Sequence, residues 1–200
     1  MGLVEYPIAA AYLVQNYERL EGRVFEKKRF THMGKQWYEY HRPRDRKLML
    51  SKKRILSPTL AKQVRFSLDT TGYLSDHACL YLQPTSRTRV GYSQIREQLA
   101  CALGRHISRE DVLKYCLAFL NSAFAQKCLV TGHRPRPGEV YAMTESVLRE
   151  ILIPPPPNKK TAKVILDLVT DLVRARDEKE IARLEDRLAG VVNRILKPLM

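Results

Sequence analysis

The sequence contains no apolar run long enough to cross a bilayer. The longest, residues 8–14, falls far short of the about 20 residues that a membrane helix needs. Glu5 stands where a secretory leader would carry basic residues, so the sequence predicts a protein of the reducing cytoplasm. Cysteines are few: Cys79, Cys101, Cys116 and Cys128 all sit among apolar neighbours, none in a Cys-x-x-Cys pair, and are expected to be buried free thiols. Also missing are a Gly-x-Gly-x-x-Gly or phosphate loop, a His-Glu-x-x-His motif and a nucleophile elbow. The five histidines share no local ligand spacing. These gaps argue for binding rather than catalysis. One metal set remains open, since Asp69, Asp76 and His77 could hold the divalent ion of a nuclease, although acidic residues beside Gly72 are commoner in turns.

Acidic residues are scarce as well, and the scarcity is local. Lys and Arg number 35 against 21 Asp and Glu, giving a net charge of +14. Residues 23–65 alone hold 14 basic and 3 acidic residues, which is most of that excess. A block of this size usually faces a polyanion, whereas the plainer alternative is a solvated basic face. Interleaved with the charges are Phe25, Phe30, Trp37, Tyr38 and Tyr40. Aromatic faces stack on unpaired bases, and guanidiniums fork onto phosphate or guanine. Trp37 and Tyr38 fit the core of a strand equally well.

The hydrophobic share of 44% and charged share of 28% are those of a folded domain. Periodicity predicts a first helix over residues 3–21, ended by Gly22, with Pro7 tolerated in its first turns. Residues 54–58 read as an extended segment and residues 64–69 alternate like a half-buried strand. Thr71-Gly72 marks a turn, and a second apolar run over 78–82 stops before Pro84. A short helix over 93–103 ends at Gly104, and Ser108 to Asp111 forms a capping box. It opens a wide apolar helix over 112–129, in which Asn121 and Ser122 need partners such as the backbone of a neighbouring strand. Arg134 and Arg136 lie on a proline-stiffened loop, and Thr144 caps a short helix over 145–150. Four prolines, 154–157, form a stiff spacer. Two apolar stripes then flank a restart at Asp177, predicting a helical hairpin or a kinked long helix whose seams need a partner surface.

The order of segments resembles a known family. Trp37-Tyr-Glu-Tyr-His-Arg-Pro-Arg44, Arg54-Ile-Leu-Ser-Pro58, Arg65-Phe-Ser-Leu-Asp69 with Gly72-Tyr73, Leu117-Ala-Phe-Leu-Asn-Ser122 and Leu152-Ile-Pro-Pro155, followed by a helical tail, look like the TaqI-like C-terminal specificity domain. That domain is the target-recognition part of adenine-specific DNA methyltransferases and of fused type II restriction-modification enzymes of bacteria. The resemblance implies a module that grips double-stranded DNA and reads a short sequence. A methyltransferase catalytic domain, upstream or on another chain, would bind S-adenosylmethionine and flip the adenine. The catalytic Asn-Pro-Pro-Tyr/Phe motif is absent from these residues, so no enzyme activity and no cofactor are expected of this chain itself.

The expected architecture is α+β: a mixed or antiparallel sheet packed by helices in a recognition domain over 1–153, a spacer over 154–159 and a helical region over 160–200. Arg42, Arg44, Arg46, Lys47, Lys52, Lys53 and Arg54 are expected mainly to hold phosphate, with Trp37, Tyr38 or Tyr40 nearby and Arg134 and Arg136 reaching a groove. Self-association through the C-terminal helices stays open. Two rival expectations are the metal-dependent nuclease and a helical interaction or scaffold protein whose charge serves solubility.

Overall fold

Pro7 opens the first helix, α1 (Pro7–Gln15), at a position where its missing amide removes no helical bond. The computed structural model describes residues 5–25, 27–29, 32, 34, 36–39, 51–72, 79–82, 89–132 and 135–199. The chain forms two compact units, Met1–Arg46 and Lys47–Met200.

In the first unit the expected single helix is broken. Asn16 leaves the helical path and turns its side-chain amide back onto the Tyr12 carbonyl at 2.9 Å, and α2 (Tyr17–Glu21) restarts after it. Neither helix has a buried residue: Ile8 is 88% exposed and Tyr12 66%. β1 (Val24–Phe25) and β2 (Lys28–Arg29) then form a small antiparallel hairpin, with Lys27 at a positive φ of 65° in its turn. Trp37 is half-buried, its ring edge-on to Tyr17 at 4.9 Å and to Tyr38 at 5.4 Å. Arg23 ties this corner together by donating to the carbonyls of Leu20, Trp37 and Glu39.

The second unit is built around β3 (Arg54–Pro58). It is the middle of a three-stranded antiparallel sheet between β5 (Ser67–Asp69) and β6 (Cys79–Leu82), with Arg54 opposite Asp69 and Leu56 opposite Tyr81. Beside it, β4 (Leu60–Ala61) pairs with β7 (Tyr141–Ala142). Thr71-Gly72 makes the expected turn, with Gly72 at φ 86° and the Asp69 carboxylate accepting from both amides.

Helix α3 (Arg89–Leu103) begins earlier than the sequence suggested and ends at Gly104. The capping box forms as expected: Ser108 Oγ accepts from the Asp111 amide at 3.1 Å, and the Asp111 carboxylate accepts from the Ser108 amide at 3.0 Å. The apolar stretch after it is two helices, α4 (Arg109–Leu120) and α5 (Ala123–Gly132), because the chain kinks at Asn121-Ser122. α4 is the hub of the unit. One side packs on β3 and β5, and the other meets α7 (Lys159–Arg174) and α8 (Glu178–Leu196), so Leu113, Tyr115, Leu117 and Phe119 are all buried. α6 (Glu145–Glu150) is capped by Thr144 and packs on α5.

The C-terminal pair is a helical hairpin, capped by Asn158 and by Asp177 at the restart. Its stripes, Ile165 and Val169 on one arm and Leu184, Leu188 and Val192 on the other, join Ile55, Phe66 and the α4 side chains in one apolar core. The proline run lies inside this second unit. Pro154 is buried, and its carbonyl accepts a 3.0 Å bond from the buried Tyr115 hydroxyl. The protein is thus α+β, with small antiparallel sheets packed by helices. Among the described residues no helix is long and apolar enough to cross a membrane.

The thiols are less hidden than expected. Cys128 is buried, Cys79 and Cys116 are half-buried, and Cys101 is exposed because it falls on the outer face of α3. Burial pushes the Cys116 thiol up to about 12.

Candidate nucleic-acid interface

The basic residues named from the sequence separate into three groups. Tyr40, Arg42, Arg44, Arg46, Lys47 and Arg134 lie outside the described residues, as do Asp76 and His77. Trp37 and Tyr38 belong to the first unit, where the Trp37 ring contacts those of Tyr17 and Tyr38. Lys52, Lys53, Arg54 and Arg136 belong to the second.

Of these, Arg54 departs from its expected role. Its exposure is 0%, its Nε donates to Asp69 Oδ2 at 3.0 Å, and its guanidinium carbon lies 4.3 Å from the centre of the Tyr81 ring. A side chain so enclosed has no path to a phosphate. The reason lies in the register: Arg54 and Asp69 are direct partners across β3 and β5, so the guanidinium is drawn inward to its counter-charge. Asp69 is fully engaged in return. Oδ2 meets Arg54, while Oδ1 accepts from the Thr71 amide, the Thr71 hydroxyl and the Gly72 amide. Burial alone would raise this carboxyl, but the bonds from Gly72, Thr71 and Arg54 outweigh it and leave the group below its ordinary range.

Lys52 and Lys53 precede this pair and are exposed. Lys53 adopts a positive φ of 61°, uncommon for a side chain with a Cβ. Its ammonium stands 3.6 Å from Glu110 Oε2 at the start of α4, and the same carboxylate meets Lys114 at 2.9 Å. The Lys114 hydrogen bond is the main reason the Glu110 carboxyl is held low; burial opposes it and Lys53 adds to it. Lys53 therefore caps a charge network while keeping its head in water, and Lys52 beside it is exposed.

Arg136 is exposed on a tight turn whose amide bonds the Val140 carbonyl at 2.8 Å. Gly138 at φ 82° and Glu139 at φ 59° supply the left-handed conformations that such a reversal needs. β7 follows directly and pairs with β4, so this turn and Lys62 sit at the same end of that ladder.

Lys62 and Arg65 were absent from the sequence-derived site. Both are exposed, as is Lys127 on α5. The backbone over 62–66 is held by two carboxamides, Asn121 at the helix kink and Gln126 within α5. Asn121 accepts from the Phe66 amide and donates to the Phe66 carbonyl, each at 2.9 Å. Gln126 accepts from the Val64 amide at 2.7 Å and donates to the Lys62 carbonyl at 3.3 Å. A carboxamide carries the same donor and acceptor pair as a peptide, so these side chains stand in for a neighbouring strand. The alternation Val64-Arg65-Phe66 was the available signal for Arg65, since it turns Val64 and Phe66 inward and Arg65 out.

Among the described residues, no three or more of His, Cys, Asp and Glu gather as a metal site. Among those residues, too, Lys27, Lys28, Arg29, Lys52, Lys62 and Arg65 are exposed and no carboxylate pairs with them. Each of these side chains offers its charge to an anion. Compared with known proteins, the chain matches no family model and no curated protein.

Proposed function

We propose that the chain is a DNA-binding target-recognition module, non-catalytic by itself, that serves an adenine-specific methyltransferase of a restriction-modification system. The catalytic domain or partner chain would bind S-adenosylmethionine and flip the target base, a division that leaves gripping and reading to this module. The observation that carries the reading is the concentration of charge: residues 23–65 hold 14 basic against 3 acidic residues. Of the 14, Arg54 is enclosed in the fold, half-buried Arg23 is tied to three carbonyls and Lys53 shares Glu110, while Lys27, Lys28, Arg29, Lys52, Lys62 and Arg65 are exposed. A surface kept basic at the cost of self-repulsion suits the release of counterions from a phosphate backbone. The metal-nuclease alternative draws no support from Asp69, whose two oxygens serve Arg54 and the Thr71-Gly72 turn.

The test is selection from a random duplex library across a salt series, with the bound molecules sequenced. The expected result is enrichment of a short motif together with a steep loss of affinity as salt rises. Lys52→Ala should weaken every sequence alike and lower the salt slope by about one unit. Absence of binding at low salt would overturn the reading in favour of an interaction protein.

A further inference from the structure

We infer that Arg65 reads a base edge, most simply the paired acceptors of guanine, from the backbone segment that Asn121 and Gln126 clamp. The inference rests on the DNA-binding reading above and names the element of the second unit that would carry sequence preference.

The clamp is the first observation. The bonds at Val64 N and Phe66 N lie on either side of Arg65, and two more bonds fix the carbonyls of Lys62 and Phe66. Four hydrogen bonds from side chains 55 to 64 residues away thus fix a segment that has no strand partner over 62–66 among the described residues. Phe66 is buried and Val64 half-buried, so the segment is also anchored through its side chains, while Arg65 alone of the three is exposed. Its backbone is pinned on both sides and its side chain is exposed.

The chemistry of the two basic side chains supplies the second step. An ammonium holds phosphate as a point charge and does so from a flexible stem, so a lysine needs no fixed backbone. A guanidinium that reads guanine must meet two acceptors, O6 and N7, in one plane. Fixing the Cα in advance removes the backbone share of the entropy lost on binding, which is useful for a fork and wasted on a point charge. The surroundings match that division. Lys62 and Lys127 flank the clamp, and the Arg136 turn stands at the same end of the β4–β7 ladder. These three are exposed and suited to phosphate, and Glu139 is the exposed acidic residue of that turn. Arg65 has neighbours to hold the backbone of a duplex while it addresses a base.

The experiment uses the full chain and a random duplex library, comparing wild type with Arg65→Lys and Gln126→Ala; thermal melting of each confirms that it folds. The expected wild-type motif contains a guanine whose preference falls by roughly tenfold or more in Arg65→Lys, with the other positions retained. Gln126→Ala, which loosens the clamp and leaves Arg65 in place, should broaden that same position. An unchanged motif in Arg65→Lys, or an equal loss of affinity on all sequences, would overturn the inference and make Arg65 a phosphate contact or a bystander. Salt-sensitive wild-type binding with no motif would also overturn it, while leaving DNA binding intact. No DNA binding by the wild type would overturn both and assign the basic surface to an acidic partner.

Discussion

Arg54 and Asp69 show how a single register position decides the role of a charge. In sequence Arg54 closes a Lys-Lys-Arg run and looks like its neighbours; in the fold it is the buried member, 3.0 Å from a carboxylate fifteen residues on. Removing one partner of such a pair leaves the other charge enclosed. Asp69→Ala should therefore destabilise the protein by about 3–5 kcal/mol, read as a lowered urea midpoint. The same replacement would abolish cutting if a nuclease used this residue, so a variant that is destabilised yet loses no divalent-ion-dependent cleavage separates the two roles. The carboxyls also set an acid limit. Asp69, Glu110 and Asp111 are each held below their ordinary range; for Asp111, burial raises the group but bonds from Arg105 and Ser108 outweigh it. A depressed folded-state pKa gives stability that is fully present above the unfolded value, about 4, and is lost as pH falls through the folded value. Thermal midpoints measured against pH should be flat near neutrality with respect to these groups and fall steeply below about pH 4.

At the scale of elements, the clamp makes the kink between α4 and α5 functional for the fold. Asn121→Ala removes both bonds to Phe66, leaving a partly buried backbone amide and carbonyl without that partner, and should cost about 1–3 kcal/mol. Amide hydrogen exchange at Phe66 should accelerate more than exchange within β3, which has strands on both sides. Elements whose signals are local were legible beforehand. The Ser108 box, the Thr144 cap, the Thr71-Gly72 turn and the Asp177 restart each rest on residues within one turn of one another. The kink at Asn121-Ser122 was not, because the apolar stripe runs on through both helices and periodicity alone sees no break. The first helix was legible from Pro7 to its end at Gly22, but its break at Asn16 was not, and among the described residues neither half buries a side chain. The candidate site was half legible. Composition located the charge, but it could not tell Arg54 from Lys52, since the difference depends on a strand fifteen residues away, nor could it single out Arg65, whose clamp comes from residues more than fifty positions on.

For the whole molecule, the hub position of α4 ties the ends of the second unit together. Deleting residues 158–200 would bare the α4 face that now meets Ile165, Val169, Leu184 and Leu188. The truncated chain should lose cooperative thermal unfolding and bind a hydrophobic dye, rather than survive as a smaller folded domain. The single tryptophan has a different consequence. Trp37 lies in the first unit, 4.9 Å from Tyr17 and 5.4 Å from Tyr38, whereas most of the helix is in the second. Fluorescence emission, with those two phenols as energy donors, therefore reports on residues 1–46, and far-ultraviolet ellipticity chiefly on residues 47–200. The protein carries two built-in optical channels, and the gap between their denaturation curves is a direct measure of how strongly its two units are coupled.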